Sequence, residues 1–354
     1  MNIYVIELIF IIGMAQLCGD KTKKDRKIYI VLCALFLGMV LILRTPEVGA
    51  DIGRYRTHFA ETGMLTVPEI LNSYNNVGFY LYDHYMFALL NGNYQIYLII
   101  TGLITFIPVV WLIGKYSAKP YYSFLVWFCM GYYAFQFSGL KQAMAMAILC
   151  FAFHFAMEAK PFKFCLLIIL ASFFHLPAII FFSAYLIVNF KFTKWHLLFY
   201  SVAIFLVWAF RDALAVFLSE GYDSVVETEA GSDIGGKVIL IILFILLGVL
   251  LRCPSNDDVQ YKALLQFMAI AAVIQLLAVY GNVFERLADY YFFFIILFIP
   301  RVMEPKYRED LKPVLKSDGA DRIFYAVALT GIFILYYWIY GYNTPGMLPH
   351  YTWI

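Results

Sequence analysis

The chain has 354 residues, of which 63% are hydrophobic, 19% aromatic and 14% charged. A soluble domain carries about 25% charged and about 45–50% apolar residues, so a water-soluble core cannot absorb this much apolar surface and lipid must be part of the solvent. The net charge of +2 sits on short loops between apolar runs, which argues against a nucleic-acid partner.

The elements predicted in chain order are transmembrane helices. Residues 2–18 read as a retained first helix and not as a signal peptide, because the lysines follow the apolar run instead of preceding it. The next loop, GDKTKKDRK, is basic and therefore cytoplasmic by the positive-inside rule. Residues 28–43 then cross, and Arg44 emerges outside. Residues 44–93 are expected to form an external loop with an aromatic, interfacial segment at 77–90. Runs at 94–113, 121–137 and 140–157 alternate across the membrane.

Residues 164–190 are apolar but interrupted by His175 and Pro177. A single helix here would leave KFTKWH outside and the acidic stretch 211–236 inside, against the charge bias. Proline also disfavours helix at the preceding residue. A broken hairpin turning at His175 satisfies both arguments and keeps 211–236 as an acidic external loop. Further crossings follow at 197–210, 238–251, 263–280, 287–302 and 323–341. The expected fold is all-α: one polytopic transmembrane domain over 1–354 with about 11–12 transmembrane helices. Of 26 Lys and Arg, nineteen fall on cytoplasmic loops, leaving Arg44, Arg54, Arg56, Lys141, Arg211, Lys237 and Arg286 outside. The six cysteines lie in apolar runs or beside a basic loop, which predicts free thiols.

Outward cations oppose the orientation bias and each wants a reason. Lys141 opens a helix beside Gln142, which reads either as a snorkelling lysine or as a cradle for an anion at the helix N-terminus. Arg286 reads as an interfacial anchor or as a ligand-binding cation. Asp51 reads as a turn residue or N-cap, His175 as a turn histidine satisfying backbone groups, and Arg56 as a surface charge. No P-loop, dinucleotide fingerprint or zinc spacing is present, and no paired external carboxylates suit a magnesium diphosphate site. No metal or cofactor is expected.

Four segments in order resemble the EpsG family of Wzy-like bacterial polysaccharide polymerases. They are Arg44, Gly49, Asp51 and Tyr55 after the second helix; Lys141, Gln142 and Ala145 at a helix start; Phe174, His175 and Ala178 at a turn; and Arg286 with Tyr290 at a late helix start. The family usually has arginine where this chain has Lys141, which keeps the charge without bidentate geometry. The resemblance implies a metal-independent glycosyltransferase, multi-pass in the bacterial cytoplasmic (inner) membrane, with its active face outside. It would join oligosaccharide repeat units carried on undecaprenyl diphosphate into exopolysaccharide, capsule or O-antigen. Asp51, His175, Arg44 and Arg286 are then the catalytic candidates, and Arg54, Tyr55, Lys141, Gln142 and Tyr290 the substrate-binding ones. Membrane lipid, a chain-length regulator and a flippase of the same pathway are the implied partners. The alternatives are a flippase for the same lipid, which would carry charge within its spans, and a membrane glycan ligase or acyltransferase.

Overall fold

Apolar runs with short polar breaks become helices wherever backbone groups must be satisfied away from water. The computed structural model describes residues 3–18, 22–189, 194–220, 236–251, 258–278, 282–303 and 319–338, and these are helical throughout apart from turns and one isolated bridge residue. The chain divides into two compact units. The first comprises Met1–Ala147, Phe173–His175 and Met303–Ile354; the second comprises Ile148–Ser172 and Leu176–Val302.

In the first unit, α1 (Ile3–Cys18) and α2 (Lys23–Ile42) run into the stretch 44–93. Thr22 starts α2 through a reciprocal box: its Oγ1 accepts from the Asp25 N–H, and Asp25 Oδ2 accepts from the Thr22 N–H, each at 3.1 Å. The stretch 44–93, expected as an external loop with an interfacial segment, contains three helices. It folds as α3 (Ile52–Met64), α4 (Val67–Ser73) and α5 (Val77–Leu89) around a core that includes Ile52, Phe59, Ile70 and Phe79. The local reason lies in the sequence. Thr66 and Glu69 box the start of α4, with Glu69 Oε2 accepting from the Thr66 N–H at 2.7 Å. Ile52 and Phe59 then recur on one face of α3.

Next come α6 (Tyr94–Tyr116), capped by Asn93, and α7 (Pro120–Cys129). The run 121–137 breaks at Gly131, and α8 (Tyr132–Phe135) follows before α9 (Leu140–Met157). The Tyr133 hydroxyl of α8 lies 2.7 Å from Glu7 Oε1 and 2.8 Å from the Leu37 carbonyl, tying α8 to α1 and α2. Near the C-terminus, α17 (Gly319–Tyr336) joins α7 through Tyr121 and Thr330, whose hydroxyls are 2.9 Å apart.

The second unit contains the broken run apart from Phe173–His175, which belong to the first. There α10 (Pro161–Phe174) ends before His175, a 3₁₀ helix spans Leu176–Ser183, and α11 (Ala184–Asn189) follows. The chain doubles back here: Phe164 meets Phe182 at 6.1 Å and Tyr185 at 5.4 Å between ring centroids. The helix α12 (Lys194–Glu220) kinks at Phe210 and continues to Glu220. The acidic stretch expected as a loop from 211 therefore opens as helix, since RDALAVFLSE holds no glycine or proline to stop it. Its remainder, 221–235, lies outside the described residues, as do the Arg211 side chain, residues 190–193, the basic stretch 304–318 and the aromatic tail from 339. The unit closes with α13 (Gly236–Leu251), α14 (Val259–Gln275), α15 (Asn282–Phe292) and α16 (Ile295–Val302). Around Phe181, Phe267, Tyr291 and Phe294 the rings pack at 5.2–5.5 Å.

Two described helices, α6 and α9, are long and apolar enough to cross a membrane, and six more apolar segments of ten to seventeen residues fall short of that length. Among the described residues, the expected 11–12 crossings therefore do not all appear as full-length spans. The breaks at Gly131 and at residues 293–294 divide runs that read as continuous, and the break at His175 falls where the hairpin was expected to turn.

Candidate functional site

The segment after α2 docks on the backbone that leads into α9. Arg44 is 1% exposed. Its Nη1 donates to the Phe137 carbonyl at 2.7 Å, and its guanidinium lies 4.9 Å from the centroid of the Phe137 ring. Its own carbonyl accepts from Gln95 Nε2 at 2.8 Å, and the Ala50 N–H donates to Ser138 Oγ at 3.1 Å. Gly49 adopts φ +130°, and a Cβ there would stand 2.2 Å from the Phe137 oxygen. Arg44, which the sequence reading places on the external side, is thus buried within the fold.

Lys141 follows three residues after Ser138, in the first turn of α9, half-buried. Its Nζ donates to the Tyr80 hydroxyl at 2.6 Å. The same nitrogen lies 4.2 Å from the Tyr80 ring centroid, 5.4 Å from that of Phe79 and 6.0 Å from that of Tyr55. These rings form an aromatic box on three sides of one ammonium. Tyr74 stacks on Tyr80 at 3.8 Å, and His58 meets Tyr80 edge-on at 5.9 Å. Gln142, the next residue, is buried. Arg54 is exposed on α3, close enough for its charge to act on Lys141.

One turn beyond Tyr80, Asp83 is completely buried. Its Oδ1 accepts from the Tyr97 hydroxyl at 2.6 Å, while Oδ2 has no hydrogen-bond partner among the described residues. Burial pushes the Asp83 carboxyl up to about 7, against the opposing pull of the Tyr97 hydrogen bond and the Lys141 charge.

Asp51 stands at the N-cap of α3 but makes no side-chain cap hydrogen bond. His175 is half-buried at the end of α10. Its neighbour Phe174 packs against the cluster that contains Phe79, Tyr80 and Leu140, and lies 6.5 Å from the Tyr82 ring. The first unit therefore gathers Asp51, Arg54, Tyr55, Lys141 and the His175 turn around α3, α5 and the start of α9.

Arg286 and Tyr290 belong to the second unit. Arg286 is exposed and Tyr290 fully buried. Beside them, Lys237 Nζ bridges Glu285 Oε1 at 2.9 Å and Asp289 Oδ1 at 2.8 Å, which accounts for one of the seven outward cations without any ligand.

Sequence reasoning passed over Asp83, Tyr97 and the partners of Lys237. A signal for Asp83 was present: it is a lone acid in the aromatic run GFYLYDHYMF, where an ionisable group is expensive unless paired. The Lys237 pairing was legible only in part, as Glu285 and Asp289 spaced i, i+4 on one helix face.

No curated protein and no solved structure matches this chain. A family model does, over residues 27–352, so all four motif segments fall within the match. These residues, folded into apolar helices, mark a membrane protein, and the chain belongs to the EpsG family of Wzy-like polymerases.

Proposed function

We propose that this protein joins undecaprenyl-diphosphate-linked oligosaccharide repeat units at the outer face of the cytoplasmic membrane. The product would be exopolysaccharide, capsule or O-antigen, and a flippase and a chain-length regulator would work beside it. Family membership supports a polymerase-type activity. The observation that carries the reading further is Lys141, an ammonium held by three aromatic rings at the first turn of a helix. A helix N-terminus and a fixed cation both favour an anion.

In this reaction a hydroxyl of one repeat unit attacks the anomeric carbon of another, and undecaprenyl diphosphate leaves. Negative charge develops on the diphosphate oxygen. Lys141 and Arg54 are the cations suited to stabilise it. Aromatic faces of the Tyr55 and Tyr80 kind suit sugar rings. Asp51 and His175 are candidates to position or deprotonate the attacking hydroxyl.

The lipid-linked glycan profile of a strain lacking the protein tests this. Single repeat units accumulating on the outer leaflet are expected. Accumulation on the inner leaflet would assign transport instead, and full-length polymer would remove the proposal.

A further inference from the structure

We propose that Asp83, and neither Asp51 nor His175, is the proton acceptor for the attacking sugar hydroxyl, a catalytic role that rests on the polymerase reading above. The geometry has three parts. First, one oxygen of Asp83 is fixed by the Tyr97 hydroxyl at 2.6 Å, and the other lacks a hydrogen-bond partner among the described residues. A buried carboxylate oxygen left open is costly unless something supplies a donor, and a substrate hydroxyl is one.

Second, Asp83 lies three residues after Tyr80 on α5. Side chains at that spacing are neighbours, about 5–6 Å apart at Cβ. The Lys141 ammonium rests on Tyr80, and its charge reaches Asp83. Acid–base group and cation therefore share one aromatic shell.

Third, the face of Tyr80 can hold a ring, because one already lies on it. Tyr74 stacks on Tyr80 at 3.8 Å and sits at the extended C-cap that ends the short α4. A sugar ring that replaces Tyr74 on Tyr80 comes within one helical turn of the open oxygen.

The step balances. The acceptor O–H proton passes to Asp83 Oδ2, the freed oxygen pair forms the bond to the anomeric carbon, and the carbon–oxygen bond to the diphosphate breaks with its pair on the leaving oxygen. The titratable and charged groups facing Asp83 are Tyr80 and Tyr82 on its own helix, Tyr94 and Tyr97 on α6, and Lys141 on α9. On α3, Tyr55 and His58 face Phe79 and Tyr80. On α4, Glu69 is exposed and turned back onto Thr66.

The test uses the full-length protein in detergent, with undecaprenyl-diphosphate-linked repeat units extracted from cells lacking it. Asp83→Asn should lower kcat by about 10²–10⁴-fold, with little change in binding of the lipid-linked units, and Asp83→Glu should recover part of the loss. Activity of the wild type should fall as pH drops through the neutral range. Tyr97→Phe should move that acidic limb to higher pH, because the hydrogen bond it removes favours the carboxylate. If Asp83→Asn does not fold, the Tyr97→Phe profile decides alone. A polymerising wild type whose Asp83→Asn variant keeps most of its kcat, or whose Tyr97→Phe limb does not move, overturns Asp83 and leaves the polymerase reading standing. A wild type that polymerises nothing overturns both.

Discussion

Two lysines in this molecule are held in opposite ways. Lys237, in the second unit, is matched twice over, by Glu285 at 2.9 Å and Asp289 at 2.8 Å. Lys141, in the first unit, donates to a neutral phenol at 2.6 Å, and three aromatic rings have centroids within 6.0 Å of its nitrogen. The Asp83 carboxylate acts on it through charge, its Oδ1 being taken by Tyr97 and its Oδ2 making no hydrogen bond among the described residues. A cation saturated by carboxylates is part of the scaffold. One cradled by rings keeps positive charge available for an incoming anion. The location of a basic residue in sequence says nothing about which of these it is; its partners do.

The largest effect should come from emptying the box. Lys141→Met keeps the aliphatic stem and removes the charge, and it should reduce polymer formation by about 10²-fold or more while yield and melting temperature stay near wild type. Lys141→Arg should retain most activity, because a guanidinium also stacks on tyrosine and donates to its hydroxyl. Lys237→Met should invert the pattern. It leaves two partly buried carboxylates facing each other and should destabilise the protein by about 3 kcal/mol, seen as a lower melting temperature with unchanged activity per folded molecule. Adding Glu285→Gln and Asp289→Asn should restore most of that loss. If Lys237→Met abolishes activity without loss of stability, the division between the two lysines fails.

Arg44→Lys replaces a fork with a point charge at an interior site and should cost about 1–2 kcal/mol, read from thermal unfolding. Another effect is pH-dependent. The Asp83 carboxyl lies at about 7 in the folded protein against 3.8 for the free group. Its contribution to stability is therefore fully present below the unfolded value and is lost as pH rises through the folded one. The melting temperature should decline across that window, and the decline should be shallower in Asp83→Asn. The smallest effect is expected at Arg56, whose pairing with Glu47 at 3.9 Å is largely exposed. Arg56→Gln should change stability by less than about 0.5 kcal/mol and leave activity alone.

Much of this was legible before any coordinates. Composition pointed to apolar helices, and His175–Leu176–Pro177 marked where the run 164–190 turns back. That signal is local, since proline's geometry acts on its immediate neighbours. The motif segments around Arg44 and Lys141 were legible as motifs, and the structure brings them together through Phe137 and Ser138. What could not be read depends on contacts distant in sequence. Arg44 turns inward because of a carbonyl at residue 137. Asp83 gains its character from Tyr97 and Lys141 on two other helices. The helices within 44–93 were hidden because interfacial and core aromatics have the same composition, and only packing separates them.

Gly49 sets a length and carries no chemistry of its own. Because it lacks a side chain, the 44–51 turn can lie flat on the carbonyl of Phe137, and Arg44 then reaches that same oxygen at 2.7 Å. Even a single methyl would wedge the two strands of chain apart, and the φ of +130° would resist it as well. The displacement would pass along the four residues from Phe137 to Lys141 and tilt the first turn of α9. Gly49→Ala is therefore a lesion at a distance. It should behave as a temperature-sensitive allele whose defect lies in the aim of the Lys141 ammonium and not in its charge.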